Sequence, residues 1–171
     1  MKLYRFSPIA SETELYDAVK YLHRTCHKLC LRTFGYCLPV RGNVGVFAHY
    51  EDEFAYLTSL RERLTDQEVH YKNKYFKLRE PIIVPPEDGV PGATYTFLYI
   101  RRVDPYRSQV GDIDFTLPSE EHRILKTTLD PDTFVNGARL FGRPEENIIE
   151  LWDPDTDAAA YVAAGSLPVT T

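Results

Sequence analysis

Between Ser11 and Gly35, Leu15, Ala18, Val19, Leu22, Cys26, Leu29 and Thr33 recur at helical spacing and form one apolar stripe. Ser11 followed by Glu14 offers a capping box, and Gly35 offers a stop, so one amphipathic helix is predicted. After it the pattern turns to strand periodicity and runs through the same order of elements twice. The first copy opens with the alternating strand NVGVFAH, and the acidic start EDEF begins a helix through about Leu64. HYKNKYFKL and PIIV then read as strands, PPEDGVPG as turns, and ATYTFLYIR as an aromatic, β-branched strand. The second copy opens with DIDFTL. PSEEHRILKTTL follows as a helix with Pro118 and two glutamates in its first turn. TFVNGARLF, NIIELW and AAAYVAA complete it as strands, with DPDTD turning between the last two.

The predicted fold class is α+β, in one compact domain over residues 1–171. An N-terminal helical extension (1–37) precedes a first βαβββ unit (38–103), a polar connector (104–111), a second βαβββ unit (112–164) and a tail (165–171). Period-2 alternation assigns the faces. Ile113, Phe115 and Leu117 point toward a helix, leaving Asp112, Asp114 and Thr116 on the opposite, concave surface. Val44, Val46 and Ala48 are their counterparts in the first copy, with Asn43, Gly45, Phe47 and His49 on the concave side. Tyr95, Phe97, Tyr99 and Arg101 share one face of their strand, a setting for a stacked group beside a cation. Two such curved sheets side by side make a half-open barrel with a ligand-sized cleft.

Composition narrows the function. A formal charge of −5 argues against nucleic acid, whose phosphates need a concentrated Lys/Arg surface. No apolar run approaches the length of a membrane helix, and no secretion signal is apparent. Three cysteines, an odd count, point to free thiols in a reducing compartment, with the cytoplasm as the default address. Arg101, Arg102 and Arg107 cluster, either as a solvated loop with salt-bridge partners or as an anion site. His23, Cys26, His27 and Cys30 fall along one side of the first helix, which raises a zinc site. Core packing is preferred, because Cys26 is central to the apolar stripe and paired-Cys spacing is lacking; His27 is expected to turn toward water. Cys37 has no activating base nearby in sequence. A phosphate loop, a nucleophile elbow and a zinc-protease motif are all missing.

The paired order, with LWDPDTDAAAYVAA as a closing hairpin, resembles the vicinal oxygen chelate superfamily of glyoxalases, extradiol dioxygenases and bleomycin-resistance proteins. A broader similarity, through the leading helix, FKLREPIIV and DIDFTLP, is to the YecM-like family within that fold. The superfamily resemblance implies a divalent metal held by His, Glu or Gln on the opening and closing strands. Carried over, those places fall on Asn43, on Asp112, on or next to Ala160, and near residues 98–100, so at most one good oxygen ligand, Asp112, remains.

The expectation is therefore a protein that binds a small polar or partly cationic ligand in its cleft without the inherited catalytic metal. The ligand-binding residues are expected among His49, Tyr99, Arg101, Arg107, Asp112, Asp114, Glu150 and Tyr161. One alternative is a metal-dependent lyase, isomerase or dioxygenase using His49, Asp112, Asp114 and Glu150. Another is a non-catalytic homodimer that uses an exposed sheet or the first helix.

Overall fold

The structure is a computed structural model that describes residues 3–142 and 148–168. Helix α1 (Glu12–Phe34) is followed by β1 (Val40–Phe47), α2 (Glu51–Leu64), β2 (Thr65–Tyr71), β3 (Tyr75–Val84) and β4 (Ala93–Arg101). The second half supplies β5 (Gly111–Leu117), α3 (Ser119–Lys126), β6 (Ala138–Phe141), β7 (Ile148–Leu151) and β8 (Ala159–Ala164). All eight strands form one mixed sheet in the order β2-β3-β4-β1-β5-β8-β7-β6, which stays open at β2 and β6. Each half is arranged alike about a central seam. The opening strand pairs in parallel with the last strand of its own half, β1 with β4 and β5 with β8, and the halves join through antiparallel β1–β5.

Local chemistry sets the boundaries of α1. Ser11 Oγ accepts the Glu14 amide at 3.1 Å, Glu14 reaches back to the Ala10 amide at 2.6 Å, and Gly35 ends the helix at φ 78°. The stripe of α1 packs on β1, β5 and β8. Ile113 and Phe115 meet it with no exposed surface, each burial contributing roughly 2–3 kcal/mol. His27 is not turned toward water: it is buried and meets the Phe115 ring edge-on at 5.0 Å, because the stripe is wide enough to include it. His23 is buried too, its ring nitrogens on the Tyr95 hydroxyl (2.7 Å) and the Pro91 carbonyl (2.8 Å). Cys26 donates to the Ala159 carbonyl at 3.4 Å, and the Cys30 sulfur accepts the Leu38 amide at 3.2 Å. All four side chains belong to the core.

Burial lowers the His23 pKa to about 4. Its folded value lies below its unfolded one, so its contribution is complete above pH ~6.5 and is lost as pH falls toward the folded value. Tyr95→Phe strands the His23 ring nitrogen and is expected to cost about 1–3 kcal/mol at pH 7. Urea unfolding curves read this directly, and an unchanged midpoint would remove the bond from the account.

Several strand expectations need correction. TFVNGARLF turns at Asn136 and Gly137, both at positive φ, and only its end forms β6. HYKNKYFKL is not one strand but a hairpin, broken at Lys72 and Asn73, both at φ 52°. The second piece continues through Arg79–Glu80–Pro81 into PIIV as a single β3. The β3–β4 register shifts between Lys77 and Ile82, so Pro81 sits where no amide donor is required. That shift also re-aims β4. Tyr95 lies in the helix-side core on His23, as do Leu98 and Ile100, so Tyr95 does not share a face with Tyr99 and Arg101.

Among the described residues no helix is long and apolar enough to cross a membrane.

Candidate functional site

On the side of the sheet away from α1, the β1–β5 seam forms the floor of a cavity of about 660 Å3. Register places its residues in rows. Tyr99, Gly45, Asp112 and Ala159 are successive partners across β4, β1, β5 and β8. A neighbouring row runs from Phe97 through Asn43, then from Asp114 through Tyr161 to Glu150, the two parts linked by the Asn43 amide donating to Asp114 Oδ2 at 2.9 Å.

Gly45 is what admits Asp112. A Cβ at position 45 would lie 2.1 Å from Asp112 Oδ1 and 3.2 Å from the Tyr99 ring, so the carboxylate occupies the space of a missing side chain. Asp112 is 7% exposed, and its Oδ1 is buried without a hydrogen-bond partner. Burial, then the neighbouring Asp114 charge, push its pKa up to about 7, with Lys74 and Arg101 opposing. Asp114 is raised as well, chiefly by burial, with Asn43 opposing. Two close carboxylates at a buried seam disfavour each other's charge, and burial acts on both in the same direction.

The walls are basic and aromatic. Lys74 lies over Tyr99 at 4.4 Å and Tyr75 at 5.3 Å, and Arg107 over Phe141 at 5.9 Å. Arg101 pairs with Asp104 at 3.2 Å and sits above the Phe47 ring at 5.0 Å. Tyr161 packs on Phe141 at 5.0 Å; burial first, then Asp112 and Glu150, raise its phenol pKa.

Of the residues expected from sequence, Arg101, Arg107, Asp112, Asp114 and Tyr161 line this one cavity. Tyr99 stands at its edge, against Tyr75 at 5.3 Å, and lines an adjoining hollow with Arg101. Glu150 shares the side of Tyr161, but its carboxylate is taken by Arg139 at 2.8 Å. His49 is elsewhere: β1 ends at Phe47, and the imidazole stacks on Tyr4 at 3.9 Å with Nδ1 paired to Ser7 Oγ at 2.7 Å. Trp152 stacks on Phe134 at 4.9 Å, away from the cavity. Sequence reasoning missed Arg41, Lys72, Lys74 and Tyr75. The interleaved basic and aromatic residues of YKNKY were the available signal for three of these.

The places carried over for a metal do not assemble a donor set. Ala160 pairs with Ile113 and faces the helix layer, not the cavity; its neighbours Ala159 and Tyr161 lie on the Asp112 side and bring no carboxylate. Leu98 and Ile100 are also in the core. Among the described residues no three His, Cys, Asp or Glu side chains are grouped to hold a metal ion. A catalytic metal takes about three protein ligands, so Asp112 and Asp114 alone do not fit one.

Fold and site together define an open-sheet α+β protein with a polar cavity over its central seam. No protein-family model matches the chain, and no curated protein matches it. A solved structure described as "Structural Genomics, Protein EC4020" is similar over 97% of this chain and 94% of that chain, with 17% identity and a TM-score of 0.49.

Proposed function

We propose that the chain is a small-molecule binding protein of vicinal oxygen chelate-like, YecM-like layout, which recognises a polar ligand over the β1–β5 seam without a metal at the inherited positions. The layout is supported by the two like halves and their edge-to-edge junction. The observation that carries the binding reading is the cavity itself, about 660 Å3, with Asp112 held at its floor in the space left by Gly45. That volume falls within the range of small-molecule sites, roughly 300–1,000 Å3, and a few convergent polar groups on an aromatic frame are their usual composition. A buried carboxylate kept unsatisfied weakens a fold and suits a site that a ligand completes.

The alternative metal enzyme built on His49, Asp112, Asp114 and Glu150 is not favoured, because His49 and Glu150 are engaged elsewhere.

A thermal-shift screen of small polar metabolites, followed by calorimetry, tests the proposal. At least one saturable stabiliser is expected to raise the melting temperature of the wild-type protein and to lose its effect in Asp114→Ala. A broad screen with no saturable response would defeat the reading. Stoichiometric metal in chelator-free protein, lost on replacing Asp112, would move the assignment to the metal-dependent alternative.

A further inference from the structure

We infer that the ligand of this cavity is a small organic anion that also carries a hydroxyl or amine, an inference that rests on the binding reading above and names its chemical class. The chain as a whole is acidic, with 20 Lys and Arg against 25 Asp and Glu. Among the described residues the cavity lining inverts that balance: Arg41, Lys72, Lys74, Arg101 and Arg107 stand against Asp112 and Asp114. A concave, partly dry surface of one sign concentrates potential and draws the opposite charge.

This excess is assembled by the fold and is not a local charge run. Lys72 and Lys74 come from the turn between β2 and β3, Arg101 from the end of β4, Arg107 from the connector, and Arg41 from the irregular start of β1. Several of these cations retain donors for a ligand. Among the described residues neither Lys74 nor Arg107 forms an ion pair with a carboxylate; both lie against aromatic rings, which leaves N–H groups to give. Arg101 differs, being tied to Asp104, and Arg41 donates to the Gly165 and Ser166 carbonyls.

The floor asks for the opposite partner. Asp112 is more than nine-tenths buried and lines the cavity: its Oδ1 is shut in against Gly45 without a donor, and among the described residues no hydrogen bond takes its Oδ2. A bare anion answers the wall but sets its charge against the carboxylates. A cation answers the floor and is repelled by the wall. A neutral polyol uses neither charge. A molecule with an anionic end and a donor end satisfies both, its carboxylate or phosphate on Lys74 and Arg107 and its hydroxyl or amine on the Asp112–Asp114 pair.

Six probes separate these cases by thermal shift and calorimetry at pH 7: gluconate and glycerol 3-phosphate, which have both features; succinate and inorganic phosphate, anions alone; sorbitol; and ethanolamine. Gluconate or glycerol 3-phosphate is expected to stabilise the protein saturably and to bind at least about tenfold tighter than the matching bare anion, the scale of one charge-assisted hydrogen bond. Which of the two binds distinguishes a carboxylate ligand from a phosphate one. Lys74→Gln and Arg107→Gln should each weaken that binding about tenfold or more while melting cooperatively without probe. Binding of sorbitol or ethanolamine in preference to the anions overturns the inference yet leaves the cavity a ligand site. Succinate or phosphate binding as tightly as its hydroxylated counterpart removes the donor half. Silence from all six overturns the inference, and silence from the broad metabolite screen as well overturns the reading beneath it.

Discussion

Gly111→Ala is expected to destabilise the protein by about 3 kcal/mol or more, at or beyond the upper end of what overpacking a core typically produces. The added Cβ would lie 2.0 Å from the Gly45 carbonyl oxygen and 2.7 Å from Leu22 Cδ1. The first contact is with backbone on the partner strand, at the pairing of Gly111 with Val46, so no rotamer change relieves it. Either β1 and β5 separate at the seam or α1 lifts from the sheet. Both loosen the junction between the halves and the floor of the cavity together. Chemical denaturation measures the cost, and a loss below about 1 kcal/mol would mean that the seam yields more easily than its packing suggests.

Asp112→Asn is expected to stabilise the protein, and increasingly so with rising pH. The folded pKa of Asp112 is raised to about 7, mainly by burial, above the unfolded value near 4. The folded state therefore holds a proton that the unfolded chain releases, and stability falls with pH from the unfolded value up through the folded one. Asparagine keeps the shape and removes the charge. The variant should match wild type near pH 4 and exceed it by on the order of 2–4 kcal/mol at pH 8. The difference between the two unfolding profiles isolates this group from the histidines, whose effect runs the other way. A difference that does not change with pH would show Asp112 to be ionised freely in the folded protein.

Much of the architecture was legible because its signals are local. Ser11, Glu14 and Gly35 delimit α1 through caps that need no tertiary partner, and DIDFTL alternates cleanly because one face of β5 meets α1 and the other the cavity. What escaped reading depends on register. The shift opposite Lys77–Ile82 lets β3 run through a proline and turns Tyr95 into the core, which alternation along β4 alone cannot reveal. His49 was misplaced because β1 stops short of it and its stacking partner, Tyr4, belongs to another part of the chain. The carboxylates of the site were legible from the strand pattern. Its cations were only half so: Arg101 and Arg107 stood out as a cluster, whereas Lys72 and Lys74 belong to a turn that the sequence reading took for strand. The place carried over was on or next to Ala160: Ala160 itself faces the helix layer while Ala159 and Tyr161 face the cavity, because one residue in a strand is the difference between the two faces.

The packing of Asp112 across Gly45 makes each of those two positions a condition for the other. A side chain at 45 would force the Asp112 carboxylate to rotate out of the place it now holds, so the acid keeps this position only beside a glycine. The two residues form a pair that can be sought in distant sequences: chains that retain both can seat a carboxylate at the same seam, whatever the rest of their surface has become.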